Sequence, residues 1–382
     1  MAETYTLRGH GAMIADRVRM DAYAAALERT VRPGCVVLDI GTGTGMMALL
    51  ACRLGARRVY AVDPGDAIHL ARQAARENGM ADRIQLVQGI STEIELPERA
   101  DVIVSDLRGV LPVFERHLAS IADARERLLA PGGVLVPRSD TVWAAPVEAE
   151  GAYREIVEPW DEQSRGFDLS AARRAALNTW AKARFSPADR VAEPCRWAVL
   201  DYRTIRDADV GGTLEWTAAR PATAHGFAAW FDADLAEEVG FTTGPEGPET
   251  LYGTAFFPWL RPVPLQAGDS VRVELRARPA GETHIWVWNT RVEGADGVKA
   301  EFRQSTFLSQ PATPADLRRR AHDFRPVLGE QGRIDRAVLE MMDGGAALGD
   351  IARELQRRFP ERFAGWEDAL ARAGRLSAAY AE

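Results

Sequence analysis

At 382 residues the chain is long for a single domain, and 46% apolar with 27% charged residues marks a folded protein with ample core. The net charge of −8 argues against a nucleic-acid surface, which would show as a basic patch, and leaves cationic small molecules and basic peptides open as partners. The three cysteines (Cys35, Cys52, Cys195) are widely spaced and the six histidines are scattered, so no metal site is expected. No apolar run is long enough to span a bilayer and the N-terminus lacks an apolar signal core. A cytoplasmic protein with buried free thiols, without membrane or nucleic-acid partners, is the expectation.

Residues 1–33 read as an N-terminal helical segment, with a helix over 13–32 stopped by Pro33 and Gly34. Residues 34–140 read as a Rossmann-like α/β domain. Val36, Val37, Leu38 and Ile40 form the apolar run of a strand buried on both faces. Gly41, Gly43 and Gly45 then let the backbone turn sharply and approach a ligand, and the helix at 46–54 presents loop amides at its N-terminus. A second strand ends in Asp63, a carboxylate placed to accept from ribose hydroxyls. A helix over 67–78, strands at 84–89, 100–106 and 132–137, and a helix over 113–129 continue the alternation that builds a parallel sheet. Its ligand cleft should collect Gly41, Asp63, 88–91 and 105–109 at the strand ends.

From 141 to 310 short alternating strands separated by turn residues predict an antiparallel β-barrel or sandwich. Trp230, Phe231, Trp286 and Trp288 read as barrel core rather than a cation cage. An Ala/Arg-rich stretch at 170–182, within an arm at about 160–185, reads as a helix used for self-association. Residues 311–382 read as a helical extension, with amphipathic helices at 334–342, 348–359 and 366–376.

The dinucleotide fingerprint wants glycine at its first, third and sixth positions, and the sixth here is Met46. The GxGxG form, with Asp39 two residues ahead, is similar to the first motif of class I S-adenosylmethionine methyltransferases. Around it stand HGAMIADRVRMDAY, LGARRVYAVD, QGISTEIELP, ADVIVSDLRG, LLAPGGVLVP, RGFDLSAARRAAL and FTTGPEGPETLYGTAFF, in that order. With these motifs the chain resembles protein arginine methyltransferases over roughly residues 4 to 300. The resemblance implies a Rossmann-like cofactor domain followed by a β-barrel, S-adenosyl-L-methionine as cofactor, and a homodimer made through the arm.

It further implies that Arg19 binds the cofactor carboxylate, Met13 packs beside the sulfonium, Gly41 and Gly43 approach the methionine part, and Asp63 meets the ribose. Asp39, Gly45 and Ser105 complete the expected cofactor set. The family's adenine-side glutamate falls on Thr92, so adenine contacts pass to Ile90 and Ser91. Asp106 and Glu115, nine positions apart, match the family's paired glutamates that grip the acceptor guanidinium. Two carboxylates bind the guanidinium fork, localise its charge away from the reacting nitrogen and orient that nitrogen's lone pair. Arg108 stands where the family has methionine and either neutralises Asp106 or binds an acceptor carboxylate. The family's Thr-His-Trp motif reads Thr250-Leu251-Tyr252, and His117 reads as a surface histidine rather than a base. The acceptor is then a guanidino or similar cationic nitrogen of a peptide, protein or small amino-acid-like molecule. Methylation of oxygen or neutral nitrogen in a small molecule, and a non-catalytic cofactor-binding scaffold, remain open alternatives.

Overall fold

The computed structural model describes residues 6–162, 164–311 and 313–381. Contacts divide the chain into two units that meet in sequence at 311/312. The helix expected over 13–32 is two helices, α1 (Leu7–Ala15) and α2 (Arg17–Thr30). Asp16 breaks them: its ψ is 94°, and its carboxylate accepts from the Arg19 amide at 3.1 Å, capping α2.

β1 (Val36–Ile40) is buried at every position, as its unbroken apolar run requires. It is followed by α3 (Met46–Arg53), β2 (Arg58–Asp63), α4 (Ile68–Glu77), β3 (Ile84–Gln88), β4 (Ala100–Ser105), α5 (His117–Arg127) and β5 (Leu129–Val136). The five strands pair in parallel in the order β3-β2-β1-β4-β5. The order reverses between β1 and β4, so the crevice for a ligand opens at the carboxyl ends of those two strands.

The second half of this unit runs through β6 (Ser139–Val147), α6 (Glu150–Asp161), α7 (Ser170–Ala176), β7 (Ala181–Ala183), β8 (Cys195–Asp201), β9 (Val210–Thr217), β10 (Ala222–Ala236) and β11 (Val239–Thr242). It closes with β12 (Thr254–Leu265), β13 (Ser270–Ala280), β14 (Thr283–Gly294) and β15 (Gly297–Ser305). The barrel takes the form of two antiparallel sheets, β7-β12-β10-β6-β8 with β11 on β10, and β15-β14-β13-β9. Their edges meet where β8 lies beside β9 and β12 beside β15. β13 alternates buried and exposed residues along most of its length, the signature of a sheet with one wet face.

The arm helix is shorter than expected. Asn178 turns back to donate to the Arg174 carbonyl at 2.8 Å, and 181–183 leave the helix to pair with 254–256. The preceding helix, α6, carries Tyr153 and Val157 inward, onto Trp230 and Phe256.

The second unit holds α8 (Pro314–Arg319), α9 (Glu330–Asp343), α10 (Leu348–Arg358) and α11 (Trp366–Tyr380). The last three enclose their own small core of Ile334, Val338, Ile351, Leu355, Ala369 and Ala373. Among the described residues no helix is long and apolar enough to cross a membrane.

Candidate functional site

The glycine loop between β1 and α3 is a backbone device. Gly41, Gly43 and Gly45 have φ of 76°, 53° and 91°, a region that side chains disfavour. A Cβ on Gly41 would stand 2.5 Å from Leu107 Cδ2, and one on Gly43 would stand 2.8 Å from the His10 ring, so His10 from α1 lies against the loop. The expected presentation of loop amides is corrected here. The amides of Gly41 and Thr42 donate to the Val62 carbonyl at 2.8 and 3.1 Å, and that of Gly43 donates to Asp63 Oδ2 at 2.8 Å. Donors spent inside the protein cannot cradle a phosphate, so the amides of residues 41–43 serve the loop's own shape. A phosphate-free adenosine ligand, held by close approach of the backbone, fits this loop.

Asp63 ends β2 beside the loop, and its Oδ1 also accepts from the Gly65 amide at 2.8 Å. Each oxygen keeps a second lone pair, so ribose hydroxyls remain within its capacity. Asp39 lies beneath the loop, 2% exposed, and accepts from Thr42 Oγ1 at 2.6 Å. Burial pushes its carboxyl up to about 7. Its place is corrected: it braces the loop from below rather than facing a ligand. Ser105 is likewise enclosed; its hydroxyl has no partner among the described residues, and its carbonyl accepts from Tyr23 OH at 2.8 Å. Ile90 and Ser91 open the turn after β3, with Ser91 buried and its carbonyl accepting from Arg127 at 2.9 Å.

Beyond β4 the site is built from buried charge. Asp106 Oδ2 accepts from Arg19 Nε and from Tyr252 OH, both at 2.5 Å, and its Oδ1 accepts from Arg108 Nε at 3.1 Å. Arg19 also donates from Nη1 to the half-buried Met13's carbonyl at 3.1 Å, and Nη2 has no hydrogen-bond partner among the described residues. That nitrogen is the donor left for a cofactor carboxylate. Burial acts to raise the Asp106 carboxyl, but Arg19, Arg108 and the Tyr252 hydroxyl outweigh it and hold the group well below the usual carboxylate range.

Arg108 does not reach acceptor space, which corrects the expectation that it binds an acceptor carboxylate. Its side chain has no solvent exposure. Besides Asp106 it donates to Asp140 Oδ1 at 2.9 Å and to Tyr23 OH at 2.5 Å. Its guanidinium carbon lies 5.2 Å from the ring centre of Phe231 and 5.4 Å from that of Phe241. Phe231 is core, as the sequence indicates, and also one wall around a cation.

His117 is buried too. Its Nε2 lies 3.0 Å from Tyr202 OH, which donates onward to Asp140 Oδ2 at 2.5 Å. The Tyr202 proton is committed to Asp140, so His117 must be the donor, in its Nε2–H tautomer. Burial and the nearby Arg108 charge push the imidazole down to about 3, leaving it neutral. This corrects the expectation of a surface histidine: His117 is the first residue of α5 and its ring is enclosed.

Glu115 precedes that helix on a turn closed by the His117 amide and the Phe114 carbonyl at 3.0 Å. It is partly exposed, with φ of 41°, one of three non-glycine residues in the left-handed region among those described.

Sequence reasoning missed Tyr23, Asp140 and Tyr202. Asp140 had a signal: it shares the inward phase of Val142 and Ala144 along β6, where a charge needs a buried partner. Tyr252 stood in a motif noted only for what it lacked. Asp16 brings it into place, because its free carboxylate oxygen accepts from the Leu251 amide at 2.7 Å.

Comparison with known proteins agrees with this architecture. Residues 23–150 match a family model described as ribosomal protein L11 methyltransferase, and residues 138–292 match the arginine methyltransferase oligomerization subdomain. The chain is 32% identical over 286 residues to protein arginine N-methyltransferase 1 of Schizosaccharomyces pombe, covering 72% of this chain and 83% of that one. It is 32% identical over 301 residues to protein arginine N-methyltransferase 2 of Homo sapiens, covering 74% and 69% of the two chains. Among solved structures, protein arginine methyltransferase 10 of Arabidopsis thaliana superposes with a TM-score of 0.67 at 26% identity, over 79% of this chain and 98% of that one. A Trypanosoma brucei PRMT1 enzyme–prozyme complex with AdoHcy shares the fold, with a TM-score of 0.72 at 24% identity over 79% and 99% of the chains.

Proposed function

This chain belongs to the protein arginine N-methyltransferase family, and we propose that its acceptor is a guanidino nitrogen of a protein or peptide. S-adenosylmethionine supplies a methyl carried on a sulfonium; transfer breaks the S–C bond and forms an N–C bond, leaving a thioether, while the acceptor nitrogen gives up a proton. In this reading Arg19 meets the cofactor carboxylate through Nη2, Asp63 the ribose, and Ile90 and Ser91 the adenine side. Met13, Gly41 and Gly43 border the methionine portion.

The observation that carries the acceptor reading is Glu115. A non-glycine residue held at φ 41° on the segment that leads from the end of β4 to α5 is strain that a fold retains where the side chain's aim matters. A guanidinium is a poor nucleophile because its charge is delocalised. A carboxylate on its fork draws the charge aside and orients the reacting nitrogen toward the methyl.

The test is methyl incorporation from labelled cofactor into an arginine peptide, its lysine counterpart and free arginine. The arginine peptide should be labelled, and Glu115→Gln should lower its turnover about 100-fold or more without changing the fold. Labelling confined to hydroxyl or amine acceptors, or turnover indifferent to Glu115→Gln, removes the reading.

We further propose a homodimer, supported by the match of 138–292 to an oligomerization subdomain and by Phe167, 73% exposed just ahead of α7. A monomeric mass in light scattering would remove it. The three cysteines are unpaired, which supports work in the reducing cytoplasm; fractionation of the native protein tests that placement.

A further inference from the structure

Arg108 is a guanidinium already seated among groups that recognise guanidinium. Carboxylates lie on its Nε and Nη1, a phenol oxygen on Nη2, and the Tyr23 and Tyr252 rings lie 5.7 Å from its Cζ in addition to Phe231 and Phe241. Carboxylates on the fork and aromatic faces around it are what a receptor for arginine offers. The occupant, however, belongs to the chain.

Asp106 is correspondingly occupied. Three donors converge on its two oxygens, and two of them are cations. Arg19 and Arg108 together balance Asp106 and Asp140, so this compartment carries no net negative charge to offer an incoming cation. A further guanidinium brought to Asp106 would meet two like charges at contact range, in a setting with little water to screen them.

We propose that Arg108 is a specificity-determining positioning residue: as a resident guanidinium it fills the place at Asp106 that an acceptor guanidinium would take. Asp106 thereby serves the cofactor side, where it orients Arg19, and Glu115 is the carboxylate that meets the acceptor. The inference rests on the arginine-acceptor reading for its acceptor half alone. Its consequence is an acceptor held by one carboxylate, bound weakly through its guanidinium and selected by the residues around it.

The experiment compares Asp106→Asn with the double variant Arg108→Met/Asp140→Asn, which removes one charge of each sign and keeps side-chain volume. Affinity for S-adenosylhomocysteine is read by calorimetry, and acceptor KM and kcat with an arginine peptide, on protein whose folding is checked by circular dichroism. Asp106→Asn should weaken S-adenosylhomocysteine binding about fivefold or more and move acceptor KM less than about twofold. The double variant should lower acceptor KM about fivefold while leaving S-adenosylhomocysteine affinity within about twofold. Adding Asp106→Asn to it should then raise acceptor KM, because Asp106 has been released to the acceptor.

An acceptor KM unmoved or raised in the folded double variant overturns the proposal. So does an Asp106→Asn protein that loses acceptor affinity and keeps cofactor affinity. Should the double variant fail to fold, Asp106→Asn decides by its own split. If no variant methylates arginine, the acceptor reading fails separately, and the calorimetric result still decides which side Asp106 serves.

Discussion

Two aspartates, one in β1 and one just past the end of the neighbouring strand β4, have their carboxyl groups pushed in opposite directions. Asp39 lies in β1, with a threonine hydroxyl against its carboxylate, and burial pushes it up to about 7. Asp106 follows β4 with its side chain only 6% exposed, yet two arginines and a tyrosine hold it ionised far below that. Depth alone does not set the charge; the partners do. The loop over Asp39 is made by backbone and needs nothing from afar. The compartment around Asp106 is made by side chains from α2, β6, the turn after β8 and the segment before β12, so it exists only once both halves of the first unit have packed.

If that contrast is right, the largest effect belongs to the side-chain compartment. Asp140→Ala leaves Arg108 buried with one fewer counter-charge and strips Tyr202 of its acceptor. It should cost about 5 kcal/mol in urea unfolding, the upper end for breaking a buried ion pair. A loss under 1 kcal/mol would mean the compartment is wetter than its geometry implies.

The pH dependence of stability sharpens the comparison, because the two regions contribute with opposite sign. His117 stays neutral in the fold, down to about 3 against an ordinary 6.5, so the unfolded chain binds more protons in between. Its contribution is complete above 6.5 and is lost as pH falls toward 3, about 4–5 kcal/mol in full. Asp39 is favoured protonated, so its contribution is complete below the ordinary value of 3.8 and is lost as pH rises toward about 7, about 4 kcal/mol in full. Urea unfolding from pH 4.5 to 7.5 should show His117→Gln removing a rising slope and Asp39→Asn removing a falling one. Slopes of the same sign would break the comparison.

The smallest stability effect should come from the backbone-made side. Gly43→Ala places a methyl 2.8 Å from His10 at φ 53°, and should cost about 1–2 kcal/mol. It should nonetheless weaken S-adenosylhomocysteine binding about tenfold, read by calorimetry, because the loop surface is what the ligand approaches. A large loss of stability with unchanged binding would assign the loop a folding role instead.

Much of this was legible in the chain itself. The βα alternation, the glycine turn and the strand-ending Asp63 are local patterns whose physics acts over a few residues, and β1, β2 and β4 stand where the apolar runs put them. Element ends were less legible. Asp16 splits a helix because its carboxylate serves both the Arg19 amide and the distant Leu251 amide, and only the second is invisible along the chain. Arg108 shows the limit most sharply, since sequence left it choosing between Asp106 and an acceptor. Asp140, Tyr23 and Tyr252, drawn from three distant segments, close around it and make the choice.

The amino-acid order by itself therefore determined the family, the parallel sheet and the glycine loop, because backbone conformation and apolar periodicity answer to near neighbours. Tertiary structure decided which carboxylates are charged, which arginine is enclosed and which histidine is neutral. Those properties depend on the dielectric and the counter-charges that folding brings together, and no stretch of sequence carries them alone.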